Sequence, residues 1–265
     1  MIKAPILILL FNRPKFTLDL INKIKRFKPK KLYIHCDGPR KNNKSDKKKI
    51  SKIKKIIKRE INWKCKLITK YQKRNIGLRE AIINGIDFFF RKEFSGIILE
   101  DSILPQDEFF LFCDQLLDKY KHNKKISVIS GWNPIQNLEI KESYMFSELP
   151  KIWGWATWKR SWVKFDKNMN AWPNKKKNQW MKVDLNKDFF FRYFWEKVFN
   201  DSYLKNNKTW DYNLVYSNWC NKTLTIVPKY NLVQNQDKFQ KEKTTHKNNF
   251  KIDILKKKLK FPLIH

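Results

Sequence analysis

A layered α/β domain built on a mixed, mostly parallel sheet is the fold this sequence predicts, on three observations. Short apolar runs bounded by turn residues recur along the first half of the chain. Between them lie longer segments whose apolar residues fall at helical spacing. No apolar run approaches the ~20 residues that span a bilayer. Strands alternating with amphipathic helices pack as a mostly parallel sheet flanked by helices. Hydrophobic residues make up 42% of the 265 and aromatics 15%, enough for a substantial core despite the charge.

Taken in order, Ile6 to Phe11 reads as a first buried strand, and Asn12-Arg13-Pro14 as its turn. The apolar start "APILILLF" lacks a small-residue cleavage site, so it is read as a strand rather than a signal peptide. "KFTLDLINKIKRF" aligns Phe16, Leu20, Ile24 and Phe27 on one helical face. "KKLYIHC" is a second strand, ending in the turn Asp37-Gly38-Pro39. "SDKKKISKIKKIIKREI" sets Ile50, Ile53, Ile57 and Ile61 on one stripe, with lysines opposite. "CKLITKY" is a third strand, "GLREAIINGIDFFFRKEF" a third helix, and Ile97 to Leu99 a fourth strand. That strand stops at Glu100-Asp101-Ser102, with a helix expected to start near Pro105-Gln106 and run through "FFLFCDQLLDKYKHN". "KISVISGWNP" follows as another strand.

From Tyr144 to Trp219 the chain is rich in aromatics and turns, and ten of its eleven tryptophans lie between Trp132 and Trp219. Such rings serve a core, or they stack on sugars and bases, because a flat face with a polar edge suits both. In "WGWATW", Gly154 allows a close backbone approach.

Acidic residues at strand ends are the chemical signal. Ligands of open α/β sheets sit beyond the carboxyl ends of the strands. Asp37 and the Glu100-Asp101 pair both fall there, so two strands finishing in acid predict a concave anionic site on one rim. Asp37 also suits a turn that caps its own backbone. Charges at the end of a buried strand are costly unless paired, metal-bound or facing water. Asp211, among Trp210, Tyr212 and Leu214, suits a general base. His246 is a candidate metal ligand, although a lone histidine beside a basic tail need do nothing.

The net charge is +33, and Lys23 to Arg59 carries seventeen Lys or Arg against two Asp. Such a surface attracts polyanions, including anionic lipid headgroups and phosphate-bearing substrates. Lysine and asparagine are abundant throughout, however, and no nucleic-acid-binding motif accompanies the charge, so nucleic acid is not expected as a partner. The cysteines Cys36, Cys65, Cys113 and Cys220 form no CxxC pair and read as reduced core residues of a cytoplasmic protein.

Six stretches occur in the order found in a known family: "NIGLREAIINGIDFFF", "GIILEDSILPQDEFFLFCDQLL", "ISVISGWN", "KIWGWATWKRSW", "TWDYNLVYSNW" and "IVPKYNLVQN". Over nearly its whole length the chain resembles bacterial GT-A-type glycosyltransferases of the nucleotide-diphospho-sugar transferase or haemolysin-activation-like kind. It is distantly similar to the N-acetylglucosaminyltransferase I family. The resemblance implies a Rossmann-like GT-A fold in a single domain, with a nucleotide-sugar-binding half at 1–135 and an acceptor-side half at 136–265.

It further implies that Arg13, Asp37, Arg79, Glu100, Asp101 and Ser102 hold the donor, most plainly a UDP-sugar. Trp132, Trp153 and Trp155 are placed on the acceptor side, and Asp211 as the base of an inverting transfer to a hydroxyl of a glycan or lipid-linked acceptor. A divalent Mn²⁺ or Mg²⁺ is implied near Asp101. The sequence departs from the family pattern at Ser102, which replaces the acid that ligates the metal. It departs again near Thr245-His246, where the usual glycines are missing. The expected protein is thus a cytoplasmic transferase, with peripheral contact to the inner face of an anionic membrane through its basic surface. The alternative is a basic polyanion-binding protein with a degenerate site.

Overall fold

The computed structural model describes residues 2–135, 139–207 and 209–237, together with 259, 261 and 263. The first half follows the expected alternation. Strand β1 (Ile6–Leu10) is buried along its whole length, as a central parallel strand covered on both faces must be. Helix α1 (Pro14–Lys25) opens on a proline, which has no amide to leave unbonded, and buries Phe16, Leu20, Ile21 and Ile24. Phe27 lies beyond its end and packs on Phe110 with ring centroids 4.6 Å apart. Strand β2 (Lys31–Cys36) leads to helix α2 (Lys44–Glu60), capped by the Asn43 side chain accepting from the Asp46 amide. Its buried stripe is Ile50, Ile53, Ile56 and Ile57; Ile61 falls outside the helix and Ile56 takes the last turn instead.

Strand β3 (Lys66–Tyr71), helix α3 (Leu78–Phe90) and strand β4 (Ser95–Glu100) complete the first set. The helix expected to start near Pro105-Gln106 does so, with Gln106 as its N-cap, and a short strand precedes it. Ile103–Pro105 forms a short strand, β5, and helix α4 (Asp107–Lys119) begins after it. Strand β6 (Ile126–Ser130) follows, then β7 (Tyr144–Ser147) and β8 (Trp155–Trp158). Short helices α5 (Lys159–Trp162), α6 (Trp172–Lys177) and α7 (Trp180–Val183) lead into α8 (Phe189–Tyr203) and α9 (Asp211–Cys220). Strands β9 (Leu224–Pro228) and β10 (Val233–Asn235) close the described chain.

The fold class is the one expected: a mixed α/β, Rossmann-like architecture. One eight-stranded sheet runs in the order β3-β2-β1-β4-β8-β6-β9-β7, and β5 pairs with β10 in a second, two-stranded sheet. The first four strands of that order are mutually parallel, whereas β8 is antiparallel to both its neighbours. The aromatic segment "WATW" is therefore a central strand of the main sheet, threaded between β4 and β6. Gly154 enters it at φ +59°, with Val233 and Ile103 so close that a Cβ would collide. Tryptophans also fill a separate cluster, where Trp172, Trp180 and Trp219 pack with Phe199 and Tyr216. Among the described residues the four cysteines are free, and no helix is long and apolar enough to cross a membrane.

Candidate active site

Parallel pairing of β1 with β2 and β4 brings three carboxyl ends side by side, and the chain leaves each of them carrying polar groups. The Asp37 amide donates to the Leu10 carbonyl and the Asp101 amide to the Leu9 carbonyl, so both acids are hung on the end of β1. A cleft of about 210 Å³ opens there, lined by Phe11, Arg13, Asp37, Asn75, Glu100 and Asp101 among others. Four of the residues expected in the site thus meet in one place.

Their states differ. Asp37 is buried and accepts from the Gly38 amide (2.8 Å), the Asn75 amide group (2.7 Å) and the Ile76 amide (3.1 Å). Burial raises its pKa, and the backbone amides of Ile76, Gly38 and Gly77 oppose the rise. The 74–76 segment comes this close only because residue 38 is glycine; a Cβ there would stand 2.4 Å from the Arg74 backbone. Beneath the cleft, burial and Lys70 hold His35 at about 4, so its ring is neutral.

Asp101 is only 4% exposed. One of its oxygens accepts from Arg13 at 2.9 Å and the other from the Phe11 amide at 3.2 Å. Burial lifts its pKa, with Arg13 pulling the other way. The second arm of the Arg13 guanidinium reaches Asp237 at 2.7 Å, so one cation ties the two acids together. Glu100, by contrast, has no hydrogen-bond or ion-pair partner among the described residues. Burial first, then the charges of Asp101 and Asp211, push its pKa up to about 7 against the pull of Arg13.

Asp211 is the first residue of α9, and its Oδ1 is buried without a partner among the described residues. It faces two ways. Its charge acts on Glu100 at the rim, and also on Lys151, whose pKa burial lowers while Asp211 sustains it. It lines a second cavity of about 200 Å³ with Trp132, Lys151, Trp153, Trp195 and Tyr212. The Trp132 and Trp153 rings lie 4.4 Å apart, and the Lys151 ammonium sits 5.5 Å from the Trp132 centroid. The segment before α9 leaves two more buried polar atoms unpartnered among the described residues, Asn207 Oδ1 and Thr209 Oγ1. Buried polar atoms without partners are uncommon in folded proteins and mark places where a ligand or water completes the bonding.

The remaining expected residues stand elsewhere. Trp155, at 1% exposure, packs against Trp210 in the core and does not line the aromatic cavity, because β8 is an interior strand. Arg79 donates to the Lys167 carbonyl at 2.6 Å and the Thr209 carbonyl at 3.1 Å, clamping the approach to Asp211 instead of lining the rim cleft. Ser102 is buried, and its carbonyl accepts from the Gln236 amide next to the β5–β10 sheet. His246 lies outside the described residues. Sequence reading missed Lys151 and Asp237. Neither carries a local signal, since one is a lysine among 58 Lys and Arg and the other follows a three-residue strand.

For a divalent cation, the donor set is informative. Among the described residues no group of three or more His, Cys, Asp and Glu is arranged to hold a metal ion. Asp101 has both oxygens engaged, so of the adjacent Glu100-Asp101 pair Glu100 is the carboxylate without a side-chain partner among the described residues. Mg²⁺ and Mn²⁺ take few protein oxygens and fill the rest with water and phosphate, which a single carboxylate permits.

Fold and site together define an α/β protein with a charged cleft at the carboxyl rim of its parallel strands and an aromatic cavity beside it. No protein-family model matches the chain, and no curated protein matches it. Among solved structures it is similar to UDP-glucose pyrophosphorylase complexed with UDP-glucose, at 13% identity and TM-score 0.31, covering 62% of this chain and 71% of that one. The apo form of a UDP-glucose pyrophosphorylase matches at 10% identity and TM-score 0.41, covering 92% of this chain and 100% of that one.

Proposed function

We propose that the protein is an inverting glycosyltransferase of the GT-A kind, which moves a sugar from a nucleotide diphosphate to a hydroxyl of a glycan or lipid-linked acceptor. One observation carries the reading. Asp211, whose Oδ1 is buried without a partner among the described residues, lines the tryptophan-walled cavity, and its charge reaches Glu100 in the rim cleft. A donor in the first and an acceptor in the second would meet at that carboxylate.

In this reading the nucleotide lies in the rim cleft over Phe11 and His35, with Asn75 near its polar edge. Arg13 supplies positive charge where the diphosphate leaves, and it is pre-oriented by Asp101 and Asp237. A divalent cation at Glu100 would add further charge neutralisation there when bound. The acceptor sugar stacks on Trp132 and Trp153, with Lys151 on its polar edge. Asp211 takes the proton of the acceptor hydroxyl as its oxygen bonds the anomeric carbon. The bond from that carbon to the diphosphate oxygen breaks on the opposite face, which inverts the centre.

The test is a thermal-shift series with UDP and UDP-sugars. A ligand that binds only the folded state raises the unfolding temperature in proportion to its saturation. A rise with UDP supports the reading. No rise with any nucleotide, combined with steeply salt-dependent binding to polyanions, would leave the basic polyanion-binding alternative instead.

A further inference from the structure

The first two turns of α8 present four aromatic rings to solvent: Phe189 is 64% exposed, Phe190 81%, Tyr193 70% and Phe194 56%. The opposite face is spent on the fold, where Phe191, Trp195, Val198 and Phe199 pack into the tryptophan cluster. The outer rings are not scattered. Phe190 meets Phe189 edge-on at 5.7 Å, and Tyr193 stacks on Phe189 at 6.4 Å. Arg192 lies 5.9 Å from the Phe189 centroid. Contiguous exposed apolar surface of this kind marks an interaction site.

The charge says what covers it. Residues 172–205 carry eight Lys or Arg against four Asp or Glu, on a chain of net charge +33. A second copy would bring two positive surfaces together, which repulsion opposes. An anionic bilayer satisfies both properties at once, because rings enter the headgroup boundary while lysines and arginines stay with the phosphates.

We propose that the outer face of α8 is a membrane-interfacial surface that seats the protein on an anionic bilayer. The same helix turns Trp195 into the cavity that holds Asp211, and Phe194 touches Trp195 edge-on at 5.4 Å. The seated face and the aromatic cavity are therefore two sides of one helix. On the transferase reading above, this places the acceptor hydroxyl at the lipid boundary and selects a lipid-linked acceptor over a free glycan. The seating itself does not depend on that reading.

The experiment is co-sedimentation of the full chain with vesicles of phosphatidylcholine, with and without phosphatidylglycerol. It compares wild type with the triple variant Phe190→Gln, Tyr193→Gln and Phe194→Gln. These side chains face solvent, so the variant should keep its far-ultraviolet spectrum and any protection by UDP. Wild type should bind the anionic vesicles, and the variant at least about tenfold more weakly, because each ring removed takes apolar area out of the interface. Equal binding by both proteins would mean that lysines alone adsorb the chain, and would overturn the proposal. So would a wild-type dimer that the variant dissolves while neither protein sediments with vesicles. Loss of vesicle binding with UDP protection intact isolates the seating. Vesicle binding without any UDP protection would instead remove the transferase reading and leave the seating standing.

Discussion

Replacing Glu100 by glutamine should stabilise the protein at alkaline pH and do little at acid pH. The Glu100 carboxylate has no side-chain partner among the described residues, and burial first, then the charges of Asp101 and Asp211, raise its pKa from 4.5 to about 7. A group whose folded-state pKa is raised favours the folded state while protonated. Its contribution is complete below about 4.5 and is lost as the pH climbs through 7. At about 1.4 kcal/mol for each pH unit between those values, the ionised form costs the folded protein up to roughly 3 kcal/mol. Glutamine keeps the shape and removes the charge. Urea unfolding of wild type and Glu100→Gln at pH 4 and pH 8, followed by tryptophan fluorescence, measures the difference. Subtracting the two proteins cancels the titrations of groups remote from Glu100, so the difference reports Glu100 together with the acids coupled to it, Asp101 and Asp211. The variant should match wild type at pH 4 and exceed it at pH 8 by up to roughly 3 kcal/mol. Adding Mn²⁺ at pH 8 should stabilise wild type and leave the variant unchanged. A variant that is weaker at pH 8 would show that Glu100 is ion-paired, and the charged pocket described here would be wrong.

Two further outcomes follow from the geometry. Arg79→Ala removes two bonds to backbone carbonyls that fix the segment before Asp211. Turnover should fall while UDP protection stays near wild type, with roughly 1–3 kcal/mol lost in urea unfolding; Arg79→Lys, lacking the fork, should rescue little. Trp155→Ala should cost roughly 3–5 kcal/mol of stability as a core deletion, whereas Trp132→Ala should cost less and raise the concentration of acceptor needed. The reverse ranking in unfolding and kinetic assays would exchange their roles.

Much of the first half was legible from local pattern. Central parallel strands are buried on both faces, so Ile6–Leu10 and Ile97–Leu99 read as unbroken apolar runs. Acid at strand ends located Asp37, Glu100 and Asp101, and the family resemblance added Arg13; all four line one cleft. The second half was not legible in the same way. Trp155–Trp158 has neither alternation nor length, and it becomes a strand only because β4 and β6 leave an antiparallel slot between them. Ile103–Pro105 is a strand only because β10 returns to it from more than a hundred residues later. Arg79, Lys151 and Asp237 take their positions from contacts made far along the chain, which no local spacing encodes. The Ile61 boundary was misplaced for a smaller reason. Apolar helical periodicity continues one residue past the point where the helix ends, so Ile61 is its cap and not its last turn.

The decisive measurement is the rate at which wild type and Asp211→Asn consume the UDP-sugar that gives the largest thermal protection, with UDP protection read on the same preparations. A base at the meeting point of two cavities predicts a fall of roughly a hundredfold to ten-thousandfold in rate, with nucleotide binding unchanged. Undiminished turnover in Asp211→Asn, or turnover and UDP binding lost together, would contradict it.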